Sequence, residues 1–168
     1  MCIQRHHSWG DDKDLEGGVV KEYSYDDIRS SIRPTLGDSV PLSLFRILRI
    51  IGMRDLLGES AGPTLYMMGK SVGNMLAPKT MDEFQTTIKE LRIGIPEIEA
   101  ATEDRLLVNL RECITCAGFS NTGEMFCDME SGIIAGLLEK VFNKKARSTQ
   151  TKSWSVGYNY CQFDVVLY

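Results

Sequence analysis

The sequence predicts an α+β fold in which an antiparallel β-sheet packs against a helical bundle. Between about residues 37 and 91, apolar residues recur at spacings of three and four, which is typical of helices. After residue 92 the apolar period shortens to two, and two hairpin patterns flank one long amphipathic helix. Helices first, then hairpin, helix and hairpin, is the order expected of an α+β domain with an antiparallel sheet.

The first 17 residues carry no hydrophobic periodicity, so we expect residues 1–17 to form a flexible N-terminal tail. Residues 18–168 contain no internal repeat and no linker, which predicts a single domain. The tail holds both histidines of the chain, His6 and His7. They could bind a metal, but an exposed terminal pair is the commoner explanation.

The helical half contains three main helices after a short one within residues 26–34. The first main helix is capped by Ser39 and ends at Gly58. Its apolar residues recur on one face, from which the arginines point away: Leu44, Phe45, Leu48 and Ile51 against Arg46, Arg49 and Arg54.

The second main helix begins at Pro63, and its predicted buried stripe is Leu65, Met68, Val72 and Leu76. Gly69 and Gly73 lie four residues apart, a spacing that lets another backbone approach closely. The alternative is that these glycines make room for a ligand. Thr80 caps the third helix, predicted over residues 81–91.

The second half alternates strands and one helix. Strands are predicted over residues 93–101 and 105–112, and again over 146–154 and 160–167. Between the two hairpins, residues 113–123 favour a loop and residues 125–142 a long helix. These elements complete the predicted sheet and the helix that covers it.

Composition excludes several classes of protein. The formal net charge is −4 and the pI is about 5.2, which argues against direct nucleic-acid binding by a basic surface. No apolar run reaches the roughly 18 residues of a membrane span. The N-terminus lacks the apolar region of an export signal, so we expect a cytoplasmic protein.

Cysteines are the chemically distinctive residues of the chain. An odd count of five argues against a disulfide framework. Four of them lie in the last third, as Cys113-Ile-Thr-Cys116, Cys127 and Cys161. Four thiolates suit a structural zinc ion, although a second C-x-x-C pair is missing. Inert buried thiols and a redox-active C-x-x-C pair are the two alternatives.

No catalytic residue is predicted. The chain has no glycine-rich nucleotide loop, no G-x-S-x-G turn and no histidine outside the tail to pair with a serine or cysteine.

Taken together, the C-terminal motifs resemble the 4-vinyl reductase domain family. The residues concerned are Glu112-Cys-Ile-Thr-Cys-Ala-Gly118, Cys127, Glu130, Gly132-Ile-Ile-Ala-Gly136 and Gly157-Tyr-Asn-Tyr-Cys-Gln-Phe163. Tyr158 and Asn159 depart from the family's usual acidic position. The resemblance extends into the helical half and spans about residues 35–167.

The resemblance implies an α+β fold similar to ligand-binding domains of the NO-signalling and Golgi-transport type. It implies a homodimer that binds a small hydrophobic or aromatic ligand between helices and sheet. On this basis the expected ligand-binding residues are Phe45, Leu48, Tyr66, Gly69, Val72, Gly73, Ile133 and Phe163. The alternatives are a reductase or accessory factor acting on a tetrapyrrole vinyl group, and a structural interaction protein like vesicle-tethering subunits.

Sensor members of the family hold zinc through a Cys, Glu, Cys, Cys set. Cys127 and Cys161 fall on the first and last of these positions, but the middle two carry Gln150 and Ser153, which are poor zinc ligands. Cys113 and Cys116 can supply the missing ligands only if their loop folds back beside Cys161. The predicted metal ligands are therefore Cys113, Cys116, Cys127 and Cys161.

Overall fold

The structure, a computed structural model, describes residues 23–29 and 32–168. These residues fall into two units, 23–29 and 32–168, and each is described by itself. In the first, helix α1 (Tyr25–Ile28) begins at Ser24, whose hydroxyl accepts a hydrogen bond from the Asp27 amide while the Asp27 carboxylate accepts one from the Ser24 amide. The predicted tail, with His6 and His7, lies outside the described residues.

The second unit begins with the helical half. Helix α2 (Leu42–Arg46) continues through a π-helical turn (Ile47–Gly52) into α3 (Met53–Leu57), and we call this stretch segment 42–57. After a 3-10 turn (Gly58–Ser60), α4 (Ala61–Leu76) and α5 (Met81–Glu90) follow. The Thr80 hydroxyl caps α5 by accepting a hydrogen bond from the Glu83 amide at 3.1 Å.

Four antiparallel strands form one sheet in the order β1-β2-β4-β3. Their bounds are Ile95–Ala101 for β1, Arg105–Arg111 for β2, Ala146–Lys152 for β3 and Cys161–Leu167 for β4. Helix α6 (Asp128–Phe142) lies between the two hairpins in the chain and packs on the sheet. The predicted α+β architecture is confirmed, and each predicted strand is present to within two residues at either end.

Two helices, α4 and α6, cross with their backbones in contact. A Cβ atom added to Gly69 would lie 2.0 Å from the carbonyl oxygen of Met129, and one added to Gly132 would lie 2.0 Å from that of Tyr66. Gly73 and Gly136 are equally close to the opposite backbone. The glycines therefore allow close helix packing, which fixes the position of α6 and of the residues at its N-terminus.

The predicted buried faces of the first two helices are wrong. Leu44, Leu48 and Ile51 are each about half exposed, whereas Arg49 is only 2% exposed. In α4, Leu65 is buried as predicted, but the helix turns Gly69 and Gly73 inward and leaves Met68 and Val72 partly exposed. Contact between backbones selected the glycine stripe over the neighbouring apolar stripe.

The sheet face that does not carry the core is polar. Gln162 donates hydrogen bonds to Glu99 and Asn109, and the Arg105 guanidinium pairs with the Asp164 carboxylate. None of the helices among residues 23–29 and 32–168 is long and apolar enough to cross a membrane.

Candidate metal centre and neighbouring cavity

Four cysteine side chains meet in the core. The sulfur atoms of Cys113, Cys116, Cys127 and Cys161 all lie within 4.8 Å of one another, and all four residues are fully buried. The measured Sγ–Sγ distances are 3.0 Å for Cys116–Cys161, 3.3 Å for Cys116–Cys127, 3.6 Å for Cys113–Cys127 and 3.8 Å for Cys127–Cys161.

Three parts of the fold bring these thiols together. Cys161 opens β4 opposite Leu110 of β2, and Cys127 is the residue before α6. Cys113 and Cys116 lie in the turn that follows β2. The Ile114 amide donates to the Ile93 carbonyl at 2.9 Å, which ties this turn to the end of the helical half. The loop thus folds back beside Cys161, which is the condition that the sequence required.

The donor set fits a tetrahedral metal ion. An ion that binds four thiolates at about 2.3 Å separates their sulfur atoms by about 3.8 Å. The measured distances of 3.0 to 3.8 Å lie close to that spacing, so small side-chain shifts place all four donors. In the metal-free cluster the pKa of Cys116 lies well below its ordinary value, because the Cys113, Cys127 and Cys161 thiols hydrogen-bond to it.

The two non-cysteine positions of the sensor-type pattern serve other purposes. Gln150 accepts a hydrogen bond from the Cys127 amide through its Oε1 at 3.2 Å. Ser153 is fully buried, with its Oγ 3.6 Å from the sulfur of Cys116 and 3.9 Å from that of Cys161. Cys116 therefore lies beside the position of Ser153.

Sequence reasoning missed two buried charged residues near the cluster. Glu130 is fully buried one turn after Cys127 and accepts a 2.5 Å hydrogen bond from the Thr115 hydroxyl. Burial raises the pKa of Glu130. Arg49, 2% exposed, donates to the Phe126 carbonyl at 2.8 Å. Their types and spacings are those of ordinary surface charges, so only the long-range packing identifies them.

The structure does not gather the eight predicted ligand-binding residues around one cavity. Ile133 and Phe163 belong to the packed core, and Gly69 and Gly73 contact the backbone of α6. Leu48 and Val72 are partly exposed on the surface, and Phe45 is half-buried. Tyr66 lies elsewhere, at a cavity described next, and its hydroxyl accepts a hydrogen bond from the Ser148 amide at 3.2 Å. The ligand-binding role of these residues stays a prediction.

A cavity of about 390 Å³ lies between α4, the start of α6 and β3. Its lining is mostly polar and consists of Tyr66, Met125, Asp128, Ser131, Arg147, Ser148, Thr149 and Gln150. Ser131 and Ser148 are joined by a 2.9 Å hydrogen bond between their hydroxyls. Gln150 connects this cavity to the cysteine cluster, because it also accepts the hydrogen bond from Cys127.

Known proteins match both the sequence and the fold. Residues 106–167 match the model of the vinyl-4-reductase domain. The protein MJ1642 of Methanocaldococcus jannaschii is 36% identical over 132 residues, which cover 79% of this chain and 81% of the relative. The chain belongs to the vinyl-4-reductase domain family. This confirms the resemblance that the C-terminal motifs indicated.

Two crystal structures show the same fold as this vinyl-4-reductase domain. A vinyl-4-reductase family protein from Methanocaldococcus jannaschii has a TM-score of 0.63 and 22% identity, and the match covers 79% of this chain and 85% of that one. The phenol-responsive sensory domain of the transcription activator PoxR, solved with phenol, has a TM-score of 0.62 and 13% identity, with 76% and 75% covered.

Proposed function

We propose that this vinyl-4-reductase domain is a sensor-type binding domain that holds a structural zinc ion and takes a small ligand in the cavity beside it. The observation that carries the proposal is the meeting of four buried cysteine thiols within 4.8 Å. The similar fold of the phenol-responsive PoxR domain supports the ligand-binding half.

Zinc suits this site better than a hard cation does. Four thiolates are a soft donor set, which favours zinc over magnesium or calcium. A site closed by four protein ligands leaves no coordination position for a substrate, which supports a structural role rather than turnover. Here the ion would join the turn after β2, the start of α6 and the start of β4.

The cavity supports a ligand that combines an apolar edge with hydrogen-bonding groups. Tyr66 and Met125 offer apolar surface, while Ser131 and Gln150 offer polar atoms. Because Gln150 also contacts the Cys127 backbone, a ligand that displaces Gln150 would act directly on the end of α6 that carries a metal ligand. This link gives a sensor its two parts, a binding cavity and an element that responds.

A homodimer is supported by the outer face of α4. Lys70 is the only charged residue of this helix, and its ammonium group is taken up by Glu139 at 3.0 Å and by the Ala146 carbonyl at 2.8 Å. The outer face is therefore uncharged and presents Met68, Val72 and Met75, each about 40 to 46% exposed. Uncharged apolar surface on a helix is characteristic of an interface between subunits.

Metal analysis of the full-length protein tests the first half of the proposal. We expect one zinc per chain in the wild type and in Cys2→Ser, which changes the fifth cysteine. Cys127→Ser and Cys161→Ser should each lose most of the bound metal. Equal metal content in all four proteins, or none in the wild type, would overturn the metal assignment.

Ligand binding is tested with phenol as the probe, followed by protein-observed NMR. We expect shifts at cavity residues such as Ser131 and Thr149, and their loss in Met125→Trp, which fills the cavity. Thr151→Trp is the matched control, since Thr151 follows the cavity-lining stretch of β3 and does not line the cavity. Shifts elsewhere, or none, would count against this cavity as the binding site.

A further inference from the structure

Arginines of segment 42–57 grip the loop that carries three of the four thiols. Arg46 donates from Nε to the Ile114 carbonyl and from Nη2 to the Ala117 carbonyl, each at 2.9 Å. These two carbonyls bracket Cys116 within the turn that also holds Cys113. One guanidinium thus fixes the backbone of the C-x-x-C turn by two directed hydrogen bonds.

Arg49 holds the other arm of the same loop. Its Nη2 donates to the Phe126 carbonyl at 2.8 Å, and Phe126 directly precedes Cys127. Arg46 and Arg49 lie three residues apart, on one side of a helix. Adjacent positions of segment 42–57 therefore brace the two arms that carry Cys116 and Cys127.

The π-helical turn accounts for a third arginine on the same side. A π-helix returns to the same face after about five residues, because its hydrogen bonds join residue i to i+5. Arg54, five residues after Arg49, accordingly also faces the loop. It lies 4.6 Å from the centre of the Phe126 ring and donates to the Glu124 carboxylate at 3.2 Å. Neither contact involves a residue of the C-x-x-C turn or a thiol.

Charge gives the inner arginines a second role. A divalent ion with four thiolates carries two net negative charges, and the fully buried Glu130 lies close by. Arg49 brings a buried positive charge, and its Nε and Nη1 find no partner in the described part of the protein. A buried guanidinium is costly unless an opposite charge compensates it. The metal-thiolate centre supplies that charge.

We propose that Arg46 and Arg49 form an outer shell of the metal centre, so that metal binding fixes segment 42–57 against the cysteine loop. This inference rests on the proposed function, since it requires the metal. The opposite face of the segment carries Leu44, Leu48 and Ile51, which are about half exposed. Loss of the metal would loosen the segment and with it the presentation of this apolar face.

Zinc competition with a chelating dye tests the outer shell in full-length protein. Arg46→Met and Arg49→Met should each weaken zinc binding by about 10- to 100-fold, the usual effect of removing a group that orients metal ligands. Arg54→Met is the matched control and should leave the affinity within about threefold of the wild type. Cobalt-loaded samples supply a readout that stability alone would not move: the sulfur-to-cobalt absorption bands should shift in the first two variants only.

Hydrogen exchange with mass spectrometry tests the coupling. Removal of zinc from the wild type should raise exchange in residues 42–57 by at least about tenfold more than in α5, which does not contact the cluster loop through these arginines. Arg46→Met, the less buried of the two changes, keeps the test open if Arg49→Met fails to fold.

The failures of the two proposals are distinguishable. If the wild type binds zinc through its thiols but all three arginine variants bind it equally well, the outer shell is refuted and the metal centre stands. If the shell variants lose affinity but exchange in segment 42–57 is unchanged by zinc, the coupling is refuted. If the wild type binds no zinc, both proposals fall.

Discussion

Alanine at Gly69 tests the contact that positions α6. The added Cβ would lie 2.0 Å from the carbonyl oxygen of Met129 and 2.9 Å from its carbonyl carbon. A carbon and an oxygen in ordinary contact stand about 3.3 to 3.6 Å apart, so the two helices must separate by more than about 1 Å. Both clashing groups are backbone, so no change of side-chain rotamer relieves the clash.

The expected cost follows from two opposing effects. Overpacking of this kind costs about 3 kcal/mol, the upper end of the usual range, because the clash involves backbone. Replacing a helical glycine by alanine returns up to about 1 kcal/mol. We therefore expect Gly69→Ala to lower the free energy of unfolding by about 2 to 3 kcal/mol, or the midpoint temperature by about 4 to 12 °C for a chain of this size.

Thermal and urea unfolding measure this change, and Gly52→Ala is the control. A Cβ at Gly52 meets its nearest neighbour, the Ile47 carbonyl oxygen, at 3.9 Å, and Gly52 has helical backbone angles. That variant should be as stable as the wild type or slightly more so. Wild-type stability in Gly69→Ala would refute the close crossing and favour the alternative that Gly69 makes room for a ligand.

Three further predictions concern charge, metal and core. Hydrogen bonds from the Ala146 amide, Lys70 and Asn74 outweigh burial and lower the pKa of Glu139, so the stability it contributes is present above its unfolded pKa and lost as pH falls through the folded value. Glu139→Gln should therefore be less stable by about 2 kcal/mol near neutral pH and equal to the wild type in acid, as urea titrations will show; a gap that persists in acid would contradict this. Zinc affinity, measured by competition, should fall steeply as pH is lowered because thiols must lose protons to bind; a flat profile would argue against thiolate ligands. Phe163→Ala should cost about 3 to 5 kcal/mol in unfolding experiments, because Phe163 is fully buried in the core; a loss below about 1 kcal/mol would argue for a cavity there.

Local patterns in the sequence predicted the second half of the fold well. The alternation in Arg105–Arg111 and the turn at residues 102–104 predict the first hairpin, and both are observed. The long helix was predicted from residue 125 but begins at Asp128, since Phe126 and Cys127 serve the loop and the cluster. Period and turn chemistry are local properties, so they can be read without knowing what packs against them.

The inward faces of the helical half could not be predicted in the same way. Segment 42–57 offers an apolar stripe and an arginine stripe, and the usual expectation buries the apolar one. The structure buries Arg49 because carbonyl groups of the cysteine loop, about 70 residues later in the chain, accept its hydrogen bonds. In α4 the glycine stripe wins because α6 also carries glycines at the crossing. Both choices depend on distant partners.

Cysteine chemistry was predicted from residue type, and its geometry was not. Soft donors at Cys113, Cys116, Cys127 and Cys161 suggested a metal, but whether four residues spread over almost 50 positions meet depends on the path of the loop. The hydrogen bonds of Ile114 and of Arg46 determine that path.

The most direct test of the metal centre is the number of zinc ions and sulfur ligands per chain, from elemental analysis and X-ray absorption on the purified full-length protein. We expect one zinc per chain, bound by four sulfur atoms at about 2.3 Å. A protein that purifies without metal and binds none when zinc is added, or a zinc ion bound mainly by nitrogen and oxygen, would contradict the four-thiolate centre.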